Sequence, residues 1–417
     1  MNNQRTCLLA AIVLGTIAAP AAHAIDVAAG KWTLSFDGNV NAHYIYSNCE
    51  SHPAVVGGGL ACVAPDSSSS VSNGLLPAAL TVSGATNQSG YDLGFTFGLY
   101  PGISTNDGGS PNLQSADNPT FGHTALGTAG LDIRQVFLTV GNSSMGTIMA
   151  GRNIGLFGAD AILNDMTLLG VGAGNGNYAA PANTSLGSIG LGYIYTDWLS
   201  QIDYTTPAMG GAKVTVGIFD PLNTLGQVPM NHSSPGFQAK VAWTAGPVYL
   251  SASGLYQKQR IACADTASIP AATCAGVLTG NVEYNSTAFD LGGKYDLGGL
   301  EVMGWYYRGK GVGTTGLFVL SNDAAGNARD SDGFLAQATY KLGATKVGLN
   351  YGQSKLDRNA IDPVTLVEKN DKWTAGLYHN LTENLLIVAE YSRLESENQA
   401  GAKNTSWNLN AGLFLKF

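Results

Sequence analysis

From Trp32 to Tyr46 the chain changes character at every residue. The even positions are Trp32, Leu34, Phe36, Gly38, Val40, Ala42, Tyr44 and Tyr46. The odd positions are Thr33, Ser35, Asp37, Asn39, Asn41, His43 and Ile45. A β-strand turns successive side chains to opposite faces, so this segment predicts a strand with one mostly apolar and one mostly polar face. It is about fifteen residues long, where an ordinary strand has roughly 5–6. Aromatic residues stand at both ends of the apolar face. That placement suits a strand that crosses a bilayer and anchors at both interfaces.

The pattern recurs to the end of the chain. Tyr91, Leu93, Phe95, Phe97 and Leu99 alternate with Asp92, Gly94, Thr96 and Gly98. Phe237, Ala239, Val241 and Trp243 alternate with Gln238, Lys240 and Thr244. Further runs begin at Phe289, Trp373 and Trp407. The strand after the third long connection is ragged, and Glu301 to Lys310 has no clear phase. Short turns are expected near 87, 142–144, 209–211, 246, 297–299, 343 and 381–383. Between them lie long segments near 48–75, 101–130, 154–190, 220–234, 260–284, 311–331, 356–371 and 396–404. Short turns on one rim and long loops on the other describe an outer-membrane barrel.

No segment reaches the roughly 18 consecutive apolar residues of a spanning helix. A soluble sheet of this size would need protected edges, whereas closure removes the edges and pairs every backbone group in lipid. The expectation is therefore all-β: a transmembrane antiparallel up-and-down β-barrel of about sixteen strands with long extracellular loops, the third folded inward. Charged residues make up 12% of the chain, against about 25% for soluble domains. Glycine accounts for 55 of 417 residues, about twice the usual share of roughly 7%.

Residues 1–24 read as a leader: Arg5, an apolar core from Cys7 to Ala19, Pro20, and the small-residue cleavage site Ala22-His23-Ala24. Residues 25–417 form the barrel domain. The net charge of −8 argues against nucleic acid as a partner. After Cys7, the cysteines fall into two close pairs, Cys49 with Cys62 and Cys263 with Cys274. Each sits in a polar loop and is expected to close a local disulfide in an oxidising compartment. Neither pair has zinc-finger spacing, so no metal or cofactor is expected. No Gly-x-Ser-x-Gly occurs in a strand-to-helix context, so no enzyme is expected.

Several segments together resemble the Gram-negative trimeric general porins. The first strand, FDGNVNAHYIYS, is similar to theirs. The hairpin from Ile133 to Asn153, IRQVFLTVGNSSMGTIMAGRN, resembles the family's fourth and fifth strands. The following LFGADAILNDMTLLGVG resembles the loop that folds into the pore. The strand ending in Phe417 is similar to the assembly signal of outer-membrane barrels. The resemblance implies a homotrimer in the outer membrane of a Gram-negative bacterium. It also implies contact with outer-membrane lipid and lipopolysaccharide, and with the barrel-assembly machinery during insertion. The function it implies is passive diffusion of small hydrophilic solutes and ions; the alternative is a channel specific for a sugar or organic acid.

The family's constriction sets wall arginines against loop acids. By this resemblance Arg134 is a wall arginine, Arg152 the arginine of the Gly-Arg-Asn turn-in, and Asp165 a loop acid. The second acid position holds Leu169, and basic positions on the first two strands hold Asn39 and Ala79. Asp160 is the acid available to replace the missing one. Two roles are open for these groups. They either face each other across water and set a transverse field, or bind backbone groups and pin the loop to the wall. Asp37, Asn39, His43, Lys240 and Lys294 are expected to face the lumen, with His43 a possible pH-sensing group.

Overall fold

A computed structural model describes residues 25–63, 66–103, 131–174, 184–224, 231–262 and 281–417. The expected leader, the Cys263–Cys274 pair and most of the second long loop lie outside the described residues. The strands are β1 (Ile25–Ala29), β2 (Trp32–Ser51), β3 (Ser68–Ser72), β4 (Ala79–Gln88), β5 (Tyr91–Pro101), β6 (Leu131–Asn142), β7 (Gly146–Ile154), β8 (Trp198–Thr205) and β9 (Ala212–Phe219). They continue with β10 (Gly236–Ala245), β11 (Val248–Ala262), β12 (Asn281–Asp296), β13 (Leu300–Lys310), β14 (Asp330–Leu342), β15 (Thr345–Leu356), β16 (Val367–Asn380), β17 (Leu385–Asn398) and β18 (Lys403–Lys416). The described helix, α1 (Ala159–Asn164), lies in the third loop.

Sixteen strands, β2 and β4 to β18, close a ring of antiparallel neighbours. The ring shuts where β18 pairs with β2. β1 and β3 are partial strands, and both pair with β2. β1 covers the lower part of β2 on the side where β18 covers the upper part. Phe417 meets Gly38 through two backbone hydrogen bonds of 3.0 and 3.1 Å, and Ile25 stands opposite Phe36. One wall position is thus filled end to end by segments from the two ends of the barrel domain. Closure leaves no edge, which a bilayer requires.

The alternation is borne out residue by residue. In β2, Asn39, Asn41 and His43 are buried inside while Val40 and Tyr44 are exposed on the outer face. A belt of outward aromatics runs across the upper strands, with Tyr46, Trp407, Tyr391 and Trp373 in successive ring contact. The short turns fall as expected. Between β4 and β5, Ser89 and Gly90 both carry positive φ, 54° and 86°, the turn whose twist matches its flanking strands. β13 had no readable phase because apolar residues occupy both its faces. Met303, Trp305 and Tyr307 are buried inward, while Val302 is exposed outward.

Two connections differ from expectation. The link between β17 and β18 is a tight turn, since both strands extend further than the apolar pattern does. Asn398 closes it by accepting backbone N–H bonds from Ala400 and Ala402, each 3.0 Å. The first long connection is interrupted by β3. The residues after β3, 73–78, then turn into the lumen as a second inward segment, nearly all of it buried.

Candidate functional site

The third loop, 155–174 and 184–197 in its described parts, lies inside the barrel. Its backbone is tied to wall side chains along its length. Gln238 of β10 accepts from Leu156 and Phe157 at 2.7 and 2.9 Å. Asp290 of β12 accepts from Gly158 at 2.6 Å. Gln337 of β14 accepts from Met166 at 2.9 Å. Glu390 of β17 accepts from Val171 and Gly172, both at 2.8 Å, and Asn408 of β18 from Gly174 at 3.0 Å. These backbone donors have no sheet partner of their own. Inward polar side chains replace one, as buried N–H groups demand.

The glycine-rich run after Leu169 is explained by this contact. A Cβ on Gly170 would collide with the Glu390 carboxylate, and one on Gly172 with the backbone of Gly187. Gly172 also has φ +57°. The inner segment after β3 clasps the loop from the other side. Leu75 and Leu76 donate to the carbonyls of Gly170 and Leu168 at 2.8 and 3.0 Å, and Ser185 donates to that of Gly74 at 3.0 Å.

The acids predicted for the constriction belong to this anchoring. Asp160 pairs with Lys240 at 3.0 Å and accepts from Tyr249 and Ser251 at 2.8 and 2.6 Å. Burial alone would raise its carboxyl, but Lys240 and these hydrogen bonds outweigh it and hold the carboxyl below the usual range. Asp165 is 3% exposed. It accepts from Thr167 backbone and hydroxyl, both at 2.9 Å, and from Tyr193 at 2.9 Å. A longer contact, 3.3 Å, comes from Asn350 on β15. Burial and the neighbouring Asp165 carboxylate raise the Tyr193 hydroxyl well above its ordinary value.

The two arginines part company. A bulge between β5 and β6 sets Gln135 opposite Gly98 and Ile133 opposite Leu99, leaving Arg134 as the extra residue. Arg134 and Gln135 therefore both point inward, each 4% exposed. The guanidinium of Arg134 bonds Asp132 at 2.9 Å and stands 4.9 Å over the Tyr100 ring and 5.6 Å from the Trp198 ring. The same bulge shifts the phase beyond it. Arg152 lies opposite Val136 and Ser200, which are exposed on the outer face. Its Nε donates to the Ile133 carbonyl at 3.1 Å. The structure thus places Arg152 outside the lumen, which corrects the expectation drawn from Gly-Arg-Asn. It also does not bring Arg134 and Asp165 together.

Asn39 and His43 are buried inside. Asn39 donates to the Pro77 carbonyl at 3.1 Å. Lys294 forms an ion pair with Glu301 at 3.5 Å. The Cys49–Cys62 bond is present, with Cα atoms 4.8 Å apart. Among the described residues no cluster of ligands suits a metal.

Open space remains between the loop and strands β2, β4, β5 and β6, as a cavity of about 530 Å³. Asp37, Thr81, Thr96, Arg134, Gln135 and Lys416 line the strand side. The opposite side is mostly aliphatic, from Leu75 and Leu76 of the inner segment and Ile162, Leu163, Leu168, Leu169, Leu186 and Ile189 of the loop, with Thr184 and Ser185 beside them. Tyr100, Tyr195 and Trp198 close one end of the seam. Sequence reasoning missed this inner segment, Glu390 and Asp290. A lone acid on the inward phase of a strand was the available signal for the last two.

A family model described as Gram-negative porin matches residues 9–399. No curated protein matches the chain in sequence. Among solved structures, the outer membrane channel DcaP of Acinetobacter baumannii is similar with a TM-score of 0.66 at 13% identity, over 94% of this chain and 99% of that one. An anion-selective porin from Comamonas acidovorans has a TM-score of 0.60 at 16% identity, over 93% and 100%. Salmonella typhi OmpF in complex with daunomycin has 0.58 at 12%, over 94% and 100%.

Proposed function

The chain belongs to the Gram-negative porins, and on that premise we propose that its third loop and inner segment together narrow the channel to the corridor beside β2, β4, β5 and β6. The protein is an outer-membrane channel for passive diffusion of small hydrophilic solutes and ions. The observation that carries this is the strip of backbone hydrogen bonds from Gln238 to Asn408, which holds the described parts of the loop against the far wall, with open space on the near side. Asp160 and Asp165 shape the constriction by fixing the loop. Arg134 and Lys416 are the cations that line the corridor in the described residues.

The reading extends to assembly and maturation. Residues 1–24 are removed on export, and the mature barrel assembles as a homotrimer; a Vibrio cholerae OmpT structure of the same fold is of a trimer form. Reconstitution in planar bilayers tests the channel. Stepwise conductance with a linear current–voltage relation at low voltage is expected. Purified, folded protein that gives no conductance steps would overturn the reading.

A further inference from the structure

In the described residues, the charged groups that line this corridor, Asp37, Arg134 and Lys416, all stand on its strand side. Its loop side is mostly aliphatic, and the half-buried Leu163, Leu169 and Leu186 present part of their side chains to it. Thr184 and Ser185 also line it, but both are buried with their hydroxyls donated to the Leu75 and Val171 carbonyls. Leu163 and Leu186 are backed by a packed cluster that includes Ile162, Leu168 and Trp198, and Leu169 by a second one of Tyr378, Leu386, Val388 and Phe414. The surface is therefore held in place and cannot fold away from water by local collapse. Across from it stands Arg134, a cation on the strand side. Its Nε is taken by Asp132, while its Nη2 is buried with no hydrogen-bond partner among the described residues.

We infer that the corridor favours small amphipathic solutes that join a carboxylate to an apolar flank over equally small solutes that are polar all round. A fully polar solute sliding along the leucines gives up hydration and receives no hydrogen bond in return, which is costly. An apolar flank loses little there and removes hydrocarbon surface from water on both partners. The carboxylate is drawn toward the positive charge of Arg134, which acts across the narrow lumen without direct contact. Passage stays diffusive, and what changes is the partition of solutes into the narrow zone. This inference rests on the channel reading above.

Liposome swelling with two zwitterions of similar size, leucine and glutamine, tests it. Both carry the carboxylate and no net charge, so only the flank differs. Leucine is expected to enter at least as fast as glutamine through the unaltered channel. Leu163→Asn and Leu169→Asn, made singly, should each lower the leucine-to-glutamine ratio by roughly threefold, about what half-burying a short hydrocarbon segment is worth. Potassium chloride conductance of each variant verifies that it folded and opened. A wild-type ratio well below one, or a ratio unmoved in both conducting variants, would overturn the inference and leave the channel reading intact. Failure of both solutes to enter, with no conductance, would overturn both together.

Discussion

The two faces of the third loop are built from opposite materials. The face toward the far wall carries Asp160 and a row of backbone N–H groups answered by wall side chains. It also carries Asp165, which is held by Thr167 and Tyr193 of the loop itself and by a longer contact from Asn350 on the wall. The face toward water carries leucine and isoleucine. In a constriction governed by a transverse field the acids would be on the water side. Here charge holds the loop and hydrocarbon meets the solute. Coulomb attraction and hydrogen bonds are stronger away from water, so acids turned to the wall make better anchors than acids turned to the lumen.

The sharpest way to break this contrast is to remove an anchor. Glu390→Ala would orphan the N–H groups of Val171 and Gly172, and Tyr378 and Asn410 would lose their acceptor as well. Each buried donor left alone costs about 1–3 kcal/mol. Single-channel records should show a larger and noisier conductance. A quiet, unchanged channel would mean that Glu390 does not hold the loop.

A smaller change is expected at the near wall. Arg134→Gln removes one of the two cations that line the corridor, the other being Lys416, and should move the reversal potential in a salt gradient toward cation preference. The shift should shrink between 0.1 and 1 M salt as the screening length falls from about 10 to about 3 Å. A shift that persists undiminished at high salt would point to altered pore shape instead.

Smaller again are two pH effects of opposite sign on the loop. Asp160's carboxyl is depressed, so its stabilisation is present above the ordinary carboxylate pKa and is lost as pH falls through the depressed value. Asp197 is raised to about 6, first by burial and against the hydrogen bond from the Trp198 N–H. Its contribution is fully present below the ordinary carboxylate pKa and is lost as pH rises through about 6. Asp197→Asn should therefore quieten loop-dependent current noise at pH 7.5 and change it little at pH 4, measured in bilayers at both values. Greater noise in the variant at pH 7.5 would contradict the sign.

The least effect belongs to the Cys49–Cys62 bond. It closes a sequence separation of 13 residues, for which chain entropy gives roughly 3 kcal/mol at most. Reduction should loosen the first loop and leave the barrel folded by electrophoretic mobility before and after heating. Loss of the folded band on reduction alone would contradict this.

The barrel was legible because a strand exposed to lipid on one side and water on the other must alternate, and the alternation fixes the face of each residue. The aliphatic front of the loop was legible only in part. Leu169 stood out as a missing acid, but nothing in LFGADAILNDMTLLGVG separates residues facing water from residues facing the wall. The anchors Glu390 and Asp290 lie far from the loop in sequence, so no local pattern links them to it. Arg152 misled because one bulge residue, Arg134, reverses the phase of everything after it on β6, and with it the facing residues of β7. A one-residue shift of this kind turns a side chain to the other face of the sheet.

The loop acids hold the loop in place and do not face the permeating solute. Asp165→Asn tests this most directly, because the amide keeps the size, its oxygen can still accept from Thr167, and its NH2 can donate to the Tyr193 hydroxyl oxygen. Measured as reversal potential across a low-salt potassium chloride gradient, the variant is expected to match the unaltered channel closely, while Arg134→Gln measured in the same way shifts. A shift toward anions in Asp165→Asn, as large as the opposite shift in Arg134→Gln, would place the carboxylate in the water of the constriction and contradict the account.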